Sequence, residues 1–288
     1  MPASRKRLLK IKDTVRLLFI LSFLFLLSCD STFEPQKDHP FWNRLPVVIG
    51  HRGGLGPYPQ NTIPALLYGL SHGAGGVEID VQLCKSGEII VFHDYDVEDL
   101  TDGTGQVVDL TLTQLQSLTY DYRSDFIAQP VIPTLIAVLD SLPPDVLIDI
   151  ELKGESAGSD GLEDAIVRLV RDRGLEDRTI LTSFNPFRIR RIEKNHPDIL
   201  TGLITGPEVY WYVRSPIFIS WCRADAVIPF YDWADNDYLD RRPGHRMMAW
   251  FEDGDVSDPE AEYRRLLSLG VDGIVTDHPA LLSGLIPF

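Results

Sequence analysis

Val47-Val48-Ile49-Gly50-His51-Arg52-Gly53-Gly54 opens a stretch that continues through Pro59-Gln60-Asn61-Thr62 and Glu78-Ile79-Asp80-Val81 to Ile89-Ile90-Val91-Phe92-His93-Asp94. Each polar cluster falls within or just after a short run of strand-forming residues. Side chains alternate faces along a strand, so Glu78 and Asp80 project together while Val77, Ile79 and Val81 pack the other way. The pattern returns at Val146-Leu147-Ile148-Asp149-Ile150-Glu151-Leu152-Lys153, where Ile148, Ile150 and Leu152 share one face and Asp149, Glu151 and Lys153 the other. In parallel barrel strands the apolar face meets a ring of helices and the acidic face meets the barrel axis. An unpaired carboxylate there is costly, and a bound cation removes the cost.

Working outward, apolar β-type runs alternate with helical patterns along the body. Barrel strands are expected near 46–50, 76–81, 146–151, 179–184, 199–204, 225–228, 246–251 and 272–276. Helices are expected near 62–73, 134–141, 160–174, 186–196, 208–222, 235–241 and 258–269, with a last short one from 279. This order predicts an α/β fold, a (β/α)8 TIM barrel, with a small insertion between the second and third barrel strands. Ser159 or Asp160 is placed to cap one helix and Gly174 to stop it, and Asp258-Pro259 and Gly270 bracket another. Within the insertion, Lys85-Ser86-Gly87-Glu88 reads as a turn that lifts Ile89–Phe92 and presents His93 over the barrel mouth. Thr101-Asp102-Gly103-Thr104-Gly105 reads as a structural turn.

The chain start has a different character. Arg5, Lys6, Arg7, Lys10, Lys12 and Arg16 precede an apolar core from Leu17 to Leu27, then Ser28-Cys29. That core is shorter than the roughly 20 apolar residues of a spanning helix and reads as a secretory signal over residues 1–28. Leu26-Leu27-Ser28-Cys29 resembles a bacterial lipobox, which implies lipidation of Cys29 and a lipoprotein anchored to a membrane of the cell envelope. Residues 29–45 then form the lipidated cysteine and a tether, with Phe33, Phe41 and Trp42 docking at the edge of the fold, and 46–288 the barrel domain. Removing 1–28 takes six bases and one acid from totals of 27 and 42, leaving 21 against 41 and a net charge of −20. Such a body repels polyanions, so nucleic acid is not expected as a partner. Cys84 and Cys222 have no framework spacing and are read as free and structural.

Taken in order, His51-Arg52-Gly53, Asn61-Thr62, Glu78-Ile79-Asp80-Val81, Phe92-His93-Asp94, Ile132-Pro133-Thr134-Leu135, Ile150-Glu151-Leu152-Lys153, Trp250 and Asp272-Gly273-Ile274-Val275-Thr276-Asp277-His278-Pro279 resemble the glycerophosphodiester phosphodiesterase family. The resemblance implies hydrolysis of a small-molecule glycerophosphodiester to glycerol 3-phosphate and an alcohol. It makes Glu78, Asp80 and Glu151 ligands of one divalent cation, for which three carboxylates suit Ca²⁺ or Mg²⁺. It makes His51 and His93 the general acid and base, a role suited to imidazoles that titrate near neutrality. Arg52 and Lys153 would hold phosphate oxygens, and Trp250 would pack on the glycerol carbons. Two positions depart from the family pattern: Gln60 stands where a glutamate is usual, and Phe251-Glu252-Asp253-Gly254 follows Trp250.

Competing readings of the same residues are a salt-bridged acid cluster that binds no metal, a Trp250 that serves only the core, a phospholipase D-like activity on lysolipid or sphingolipid, and a non-catalytic surface-binding lipoprotein.

Overall fold

Short aliphatic runs that end in a polar side chain need a partner on each edge and cover on the outer face, and a closed barrel supplies both. The computed structural model describes residues 33–54, 56–121, 130–207, 216–241, 244–252 and 256–286. Its strands are β1 (Val47–Gly50), β2 (Gly76–Leu83), β3 (Ile89–Val91), β4 (Leu147–Leu152), β5 (Thr179–Ser183), β6 (Thr201–Thr205), β7 (Ala226–Pro229), β8 (Arg246–Trp250) and β9 (Gly273–Thr276). All but β3 are parallel neighbours in the order β1-β9-β8-β7-β6-β5-β4-β2, and β1 pairs back onto β2 to close the ring. The eight barrel strands coincide with those expected from the sequence to within a residue or two at either end.

The described helices are α1 (Ile63–Ser71), α2 (Leu112–Gln116), α3 (Leu135–Ser141), α4 (Leu162–Asp172), α5 (Pro186–Asn195), α6 (Pro216–Cys222), α7 (Asn236–Asp240), α8 (Pro259–Leu269) and α9 (Pro279–Ser283). Of the helix expected over 208–222, residues 208–215 lie outside the described residues. Strand alternation sorts the side chains as anticipated. Ile79, Ile148 and Ile150 pack with Leu135, Ile166 and Val170 of the helical shell, each fully buried aliphatic contributing about 1.5–3 kcal/mol. Asp258 caps α8 by accepting from Ala261 N at 3.1 Å, and Gly270 ends it in the left-handed region. On α4 the cap is shared: Ser159 Oγ accepts from Gly161 N, Asp160 Oδ1 accepts from Leu162 N, and the helix starts at Leu162, later than the sequence suggests.

The lower end of the barrel is closed from the N-terminal side. Phe41 and Trp42, on a 3-10 turn at Pro40–Asn43, are buried beside Val47, Leu147, Ile180, Leu200 and Met248. Gln36 binds the Asp225 carboxylate through its backbone N–H and side-chain amide, and Lys37 O accepts from Arg246. The segment expected to be a tether up to residue 45 is therefore built into the barrel from Gln36 onward. Phe41 and Trp42 enter the interior, where apolar strand starts need a plug, whereas Phe33 stays half-buried under the Arg223 guanidinium. Cys29 lies outside the described residues.

The insertion holds β3, which pairs antiparallel with the far end of β2, together with α2. It has its own small core of Ile90, Phe92, Val97, Val107, Leu115 and Ile132. The Thr101–Gly105 turn is knitted internally, with Thr101 Oγ1 donating to Val97 O and accepting from Gly103 N. Cys84 and Cys222 are free and buried. No described helix is long and apolar enough to cross a membrane.

Candidate active site

At the C-terminal end of β1 the chain turns sharply through His51-Arg52-Gly53. Arg52 is held at φ 52°, a left-handed conformation that costs a non-glycine residue of order 1–3 kcal/mol. Hydrogen bonds hold it there: Arg52 N donates to Glu78 Oε2 at 2.9 Å, and Arg52 O accepts from Asn61 N at 3.0 Å. Gly53, at φ 98°, has no alternative, since a Cβ would lie 2.6 Å from the backbone carbon of Ala65. The turn leaves His51 Nδ1 at 3.0 Å from Asp277 Oδ1, beyond the end of β9. A second histidine–carboxylate pair comes from the insertion, His93 Nδ1 to Asp94 Oδ1 at 2.6 Å. Gln82 on β2 steadies that loop by donating to both Phe92 O and Asp94 O. In each pair the carboxylate engages Nδ1, which leaves Nε2 for proton transfer.

Between the two histidines lies the acid cluster. The β2–β4 register sets Asp80 beside Glu151 and Glu78 beside Asp149. One oxygen from each of Glu78, Asp80 and Glu151 falls within 4.8 Å of the others. Asp80 Oδ2 accepts from Asn61 Nδ2 at 2.8 Å and lies 3.3 Å from Arg52 Nε. Lys153 Nζ is 3.4 Å from Asp80 Oδ1 and 3.1 Å from Glu151 Oε1. Thr182 donates to Asp149 Oδ1 at 2.6 Å.

Charge is not balanced here. Burial by itself would raise the Asp80 pKa, but Lys153, His93, Arg52 and the Asn61 hydrogen bond outweigh it and hold the carboxyl far below the usual range. Glu78 goes well above its ordinary value, through burial first and then the neighbouring charges of Asp80, Glu151 and Asp149. Burial also raises Glu151, against the pull of Lys153, and pushes Asp149 up to about 7. Lys153 shifts upward because Glu151 and Asp80 together exceed its own burial penalty. Arg52 and Lys153 thus satisfy Asp80 and part of Glu151, as a salt-bridge cluster would. Glu78 takes only a backbone hydrogen bond from Arg52 and forms no ion pair with either side chain, and Asp80 Oδ1 has no hydrogen bond among the described residues. Oxygen-only donors, close together, buried and in excess of their cationic partners, fit a hard divalent cation.

His51, Arg52, Glu78, His93, Glu151, Lys153 and Trp250 line one cavity of about 1020 Å³, and the fully buried Asp80 belongs to the same carboxylate cluster as Glu78 and Glu151. All the residues singled out in the sequence for the site therefore meet in one place, Cys29 aside. Trp250 is held in the core and also lines the cavity: its Nε1 donates to Thr205 O at 3.0 Å and its ring packs on Phe230 and Phe184. Gln60 Oε1 accepts from Arg52 Nη1 at 2.9 Å, so the amide orients the guanidinium without an added negative charge. Of the second departure, Glu252 lines the cavity and residues 253–255 lie outside the described ones.

Sequence reasoning assigned no role to Asp277, Asp94, Asp149 or Tyr95. Asp149 was within reach, because it shares a strand face with Glu151. Asp277 pairs with a histidine 226 positions away, which no local pattern reveals. Tyr95 OH accepts from Gly154 N at 3.1 Å and fixes the loop behind Lys153.

Residues 51–281 match the model of the Glycerophosphoryl diester phosphodiesterase family. A glycerophosphodiester phosphodiesterase of Caldanaerobacter subterraneus subsp. tengcongensis is 31% identical over 246 residues, covering 83% of this chain and 97% of its own. Human glycerophosphodiester phosphodiesterase 1 is 30% identical over 285 residues, covering 84% of each chain. Among solved structures, an Oleispira antarctica phosphodiesterase in complex with the product sn-glycerol-3-phosphate superposes with a TM-score of 0.69 at 26% identity, over 83% of this chain and 96% of that one. With its barrel, its paired histidines and its acid cluster in register with the matched span, the chain belongs to the glycerophosphoryl diester phosphodiesterase family.

Proposed function

We propose that this protein hydrolyses glycerophosphodiesters to glycerol 3-phosphate and an alcohol, with His51 and His93 as general acid and base and with Glu78, Asp80 and Glu151 as the residues that would hold a divalent cation. The observation that carries the reading is the placement of two histidine–aspartate pairs around a buried, under-neutralised carboxylate cluster in one cavity. A divalent cation, Ca²⁺ or Mg²⁺, would neutralise phosphate charge there and acidify a nearby hydroxyl. The remaining work falls to the chain's own groups. One histidine takes the proton of the attacking hydroxyl, which belongs to water or to the substrate's own glycerol. The other protonates the departing alkoxide. Asp277 and Asp94 hold the imidazoles with Nε2 toward the substrate and stabilise each imidazolium as it forms. The guanidinium of Arg52 and the ammonium of Lys153 grip non-bridging phosphate oxygens.

The same reading extends to location. The basic start, short apolar core and Leu-Leu-Ser-Cys sequence support lipidation of Cys29 and attachment of the body to a membrane of the cell envelope. The catalytic reading is tested with glycerophosphocholine: His51→Ala and His93→Ala should each lower turnover by roughly 10²–10⁴ while circular dichroism stays native. Near-normal turnover in either variant removes that histidine from the mechanism.

A further inference from the structure

The segment ahead of the barrel lies across one end of it. The Phe33 ring sits under the Arg223 guanidinium, 5.1 Å away, in the turn that leads into β7. Gln36 donates to Asp225, one residue before β7, and to Pro197 O in the turn ahead of β6. Lys37 O accepts from Arg246 at the start of β8, and Arg44 Nη1 donates to Asp145 O just ahead of β4. Each of these partners stands where a strand enters the barrel. The catalytic groups stand where the strands leave it: His51 follows β1, Lys153 follows β4, and His93 follows β3, which pairs with the last residues of β2. With Phe41 and Trp42 buried among the strand starts, the segment cannot lift away without unplugging that core.

We infer that the end of the barrel where the strands begin is the face held toward the membrane, so that the catalytic cavity opens away from the bilayer and receives diesters dissolved in the aqueous compartment. The inference rests on the lipidation of Cys29 proposed above and adds an orientation to it. Cys29 and Phe33 are four residues apart, a reach of at most about 14 Å. The opposite pose needs more. β2 runs eight residues, Gly76–Leu83, and at about 3.3 Å per rise and a tilt of about 36° it climbs roughly 19 Å along the barrel axis from the level of the strand starts. The insertion stands beyond the end of β2, where Lys85 N donates to Leu110 O. A bilayer laid against the mouth would therefore be farther from Phe33 than the chain to Cys29 can span. A lipid embedded in the anchoring bilayer is then out of reach of His51 and His93.

The test uses the protein produced with labelled fatty acid and reconstituted in phosphatidylcholine vesicles that carry a quencher on some lipid headgroups. A fluorophore is attached through Asp38→Cys, exposed on the N-terminal segment, or through Val108→Cys, 55% exposed in the insertion. The native Cys84 and Cys222 are buried and do not compete for the label. Quenching should be several-fold stronger at position 38 than at position 108. kcat/KM for glycerophosphocholine, with Mg²⁺ or Ca²⁺ added, should be the same on vesicles as in detergent solution. Equal quenching at the two positions, stronger quenching at 108, or a several-fold loss of kcat/KM on vesicles would overturn the orientation and leave lipidation and the phosphodiesterase reading standing. Failure to incorporate the labelled fatty acid would overturn the lipidation reading and the inference with it. No turnover in either medium would overturn the phosphodiesterase reading alone, because quenching reports the orientation without catalysis.

Discussion

Asp277→Asn keeps the shape of the carboxylate and removes its charge, which isolates what the residue does for His51. The pair is 3.0 Å apart with side chains 9% and 12% exposed, so solvent screens it only partly. At an effective dielectric constant of about 20, a full imidazolium–carboxylate pair at that distance is worth about 5 kcal/mol, an upper bound. A charge-assisted hydrogen bond contributes roughly 1.5–3 kcal/mol net. At about 1.4 kcal/mol per tenfold in rate, the loss of the bond alone lowers kcat by roughly 10- to 100-fold. Selection of the wrong imidazole tautomer by the amide would extend the loss toward 10⁴. KM should change far less, because Asp277 touches the histidine and not the substrate. The second pair calibrates the first: His93 and Asp94 are 25% and 29% exposed, so Asp94→Asn should cost less than Asp277→Asn. Steady-state kinetics on glycerophosphocholine with both variants decides the matter. Wild-type kcat in Asp277→Asn, or a larger loss in Asp94→Asn, would refute the argument that burial sets the weight of each pair.

Other perturbations probe other parts of the molecule. Glu151→Gln should weaken binding of Mg²⁺ or Ca²⁺ in isothermal titration and lower turnover together, with partial recovery at high metal, and a chelator should abolish wild-type turnover; full activity after exhaustive chelation would favour the salt-bridge cluster. Glu193, buried beside Asp225 and accepting from Thr201 Oγ1, has its pKa pushed up to about 9, chiefly by burial. The folded chain therefore keeps a proton that the unfolded chain releases near pH 4, and stability falls as pH rises from about 4 to 9 by up to about 1.4 kcal/mol per unit. Glu193→Gln should flatten that slope, raising Tm by several degrees at pH 8 but not at pH 4; an unchanged slope would contradict the assignment. Cys29→Ala should abolish incorporation of labelled fatty acid and release the body from membranes, and persistent labelling would refute the lipoprotein assignment.

The barrel was legible because each strand announces itself locally: β2 alternates aliphatic and acidic residues over Val77–Val81 and β4 over Ile148–Leu152, and Gly270 or Asp258-Pro259 marks a helix end without reference to anything distant. Glu78, Asp80 and Glu151 were legible for the same reason, since period-two alternation already assigns their face. What escaped was long-range. Nothing near Asp277 signals that it will meet His51, and nothing in Phe184-Asn185-Pro186-Phe187 states that it will form one wall of the cavity. The fate of Phe41 and Trp42 was misjudged in degree, because a proline-flanked, charged segment resembles a tether until the open lower end of a barrel offers it a place. At the departure from the family pattern, Gln60 keeps the fold intact and accepts from Arg52.

Paired histidines beside a carboxylate cluster that would hold a cation are proposed to split a glycerophosphodiester. Phosphorus NMR of glycerophosphocholine incubated with the full chain and Mg²⁺ or Ca²⁺ tests it most directly, run beside the His51→Ala/His93→Ala double variant. The diester resonance should be replaced by that of glycerol 3-phosphate with the wild type and persist with the double variant. Loss of the diester at the same rate with both proteins, or its persistence with the wild type, would contradict it.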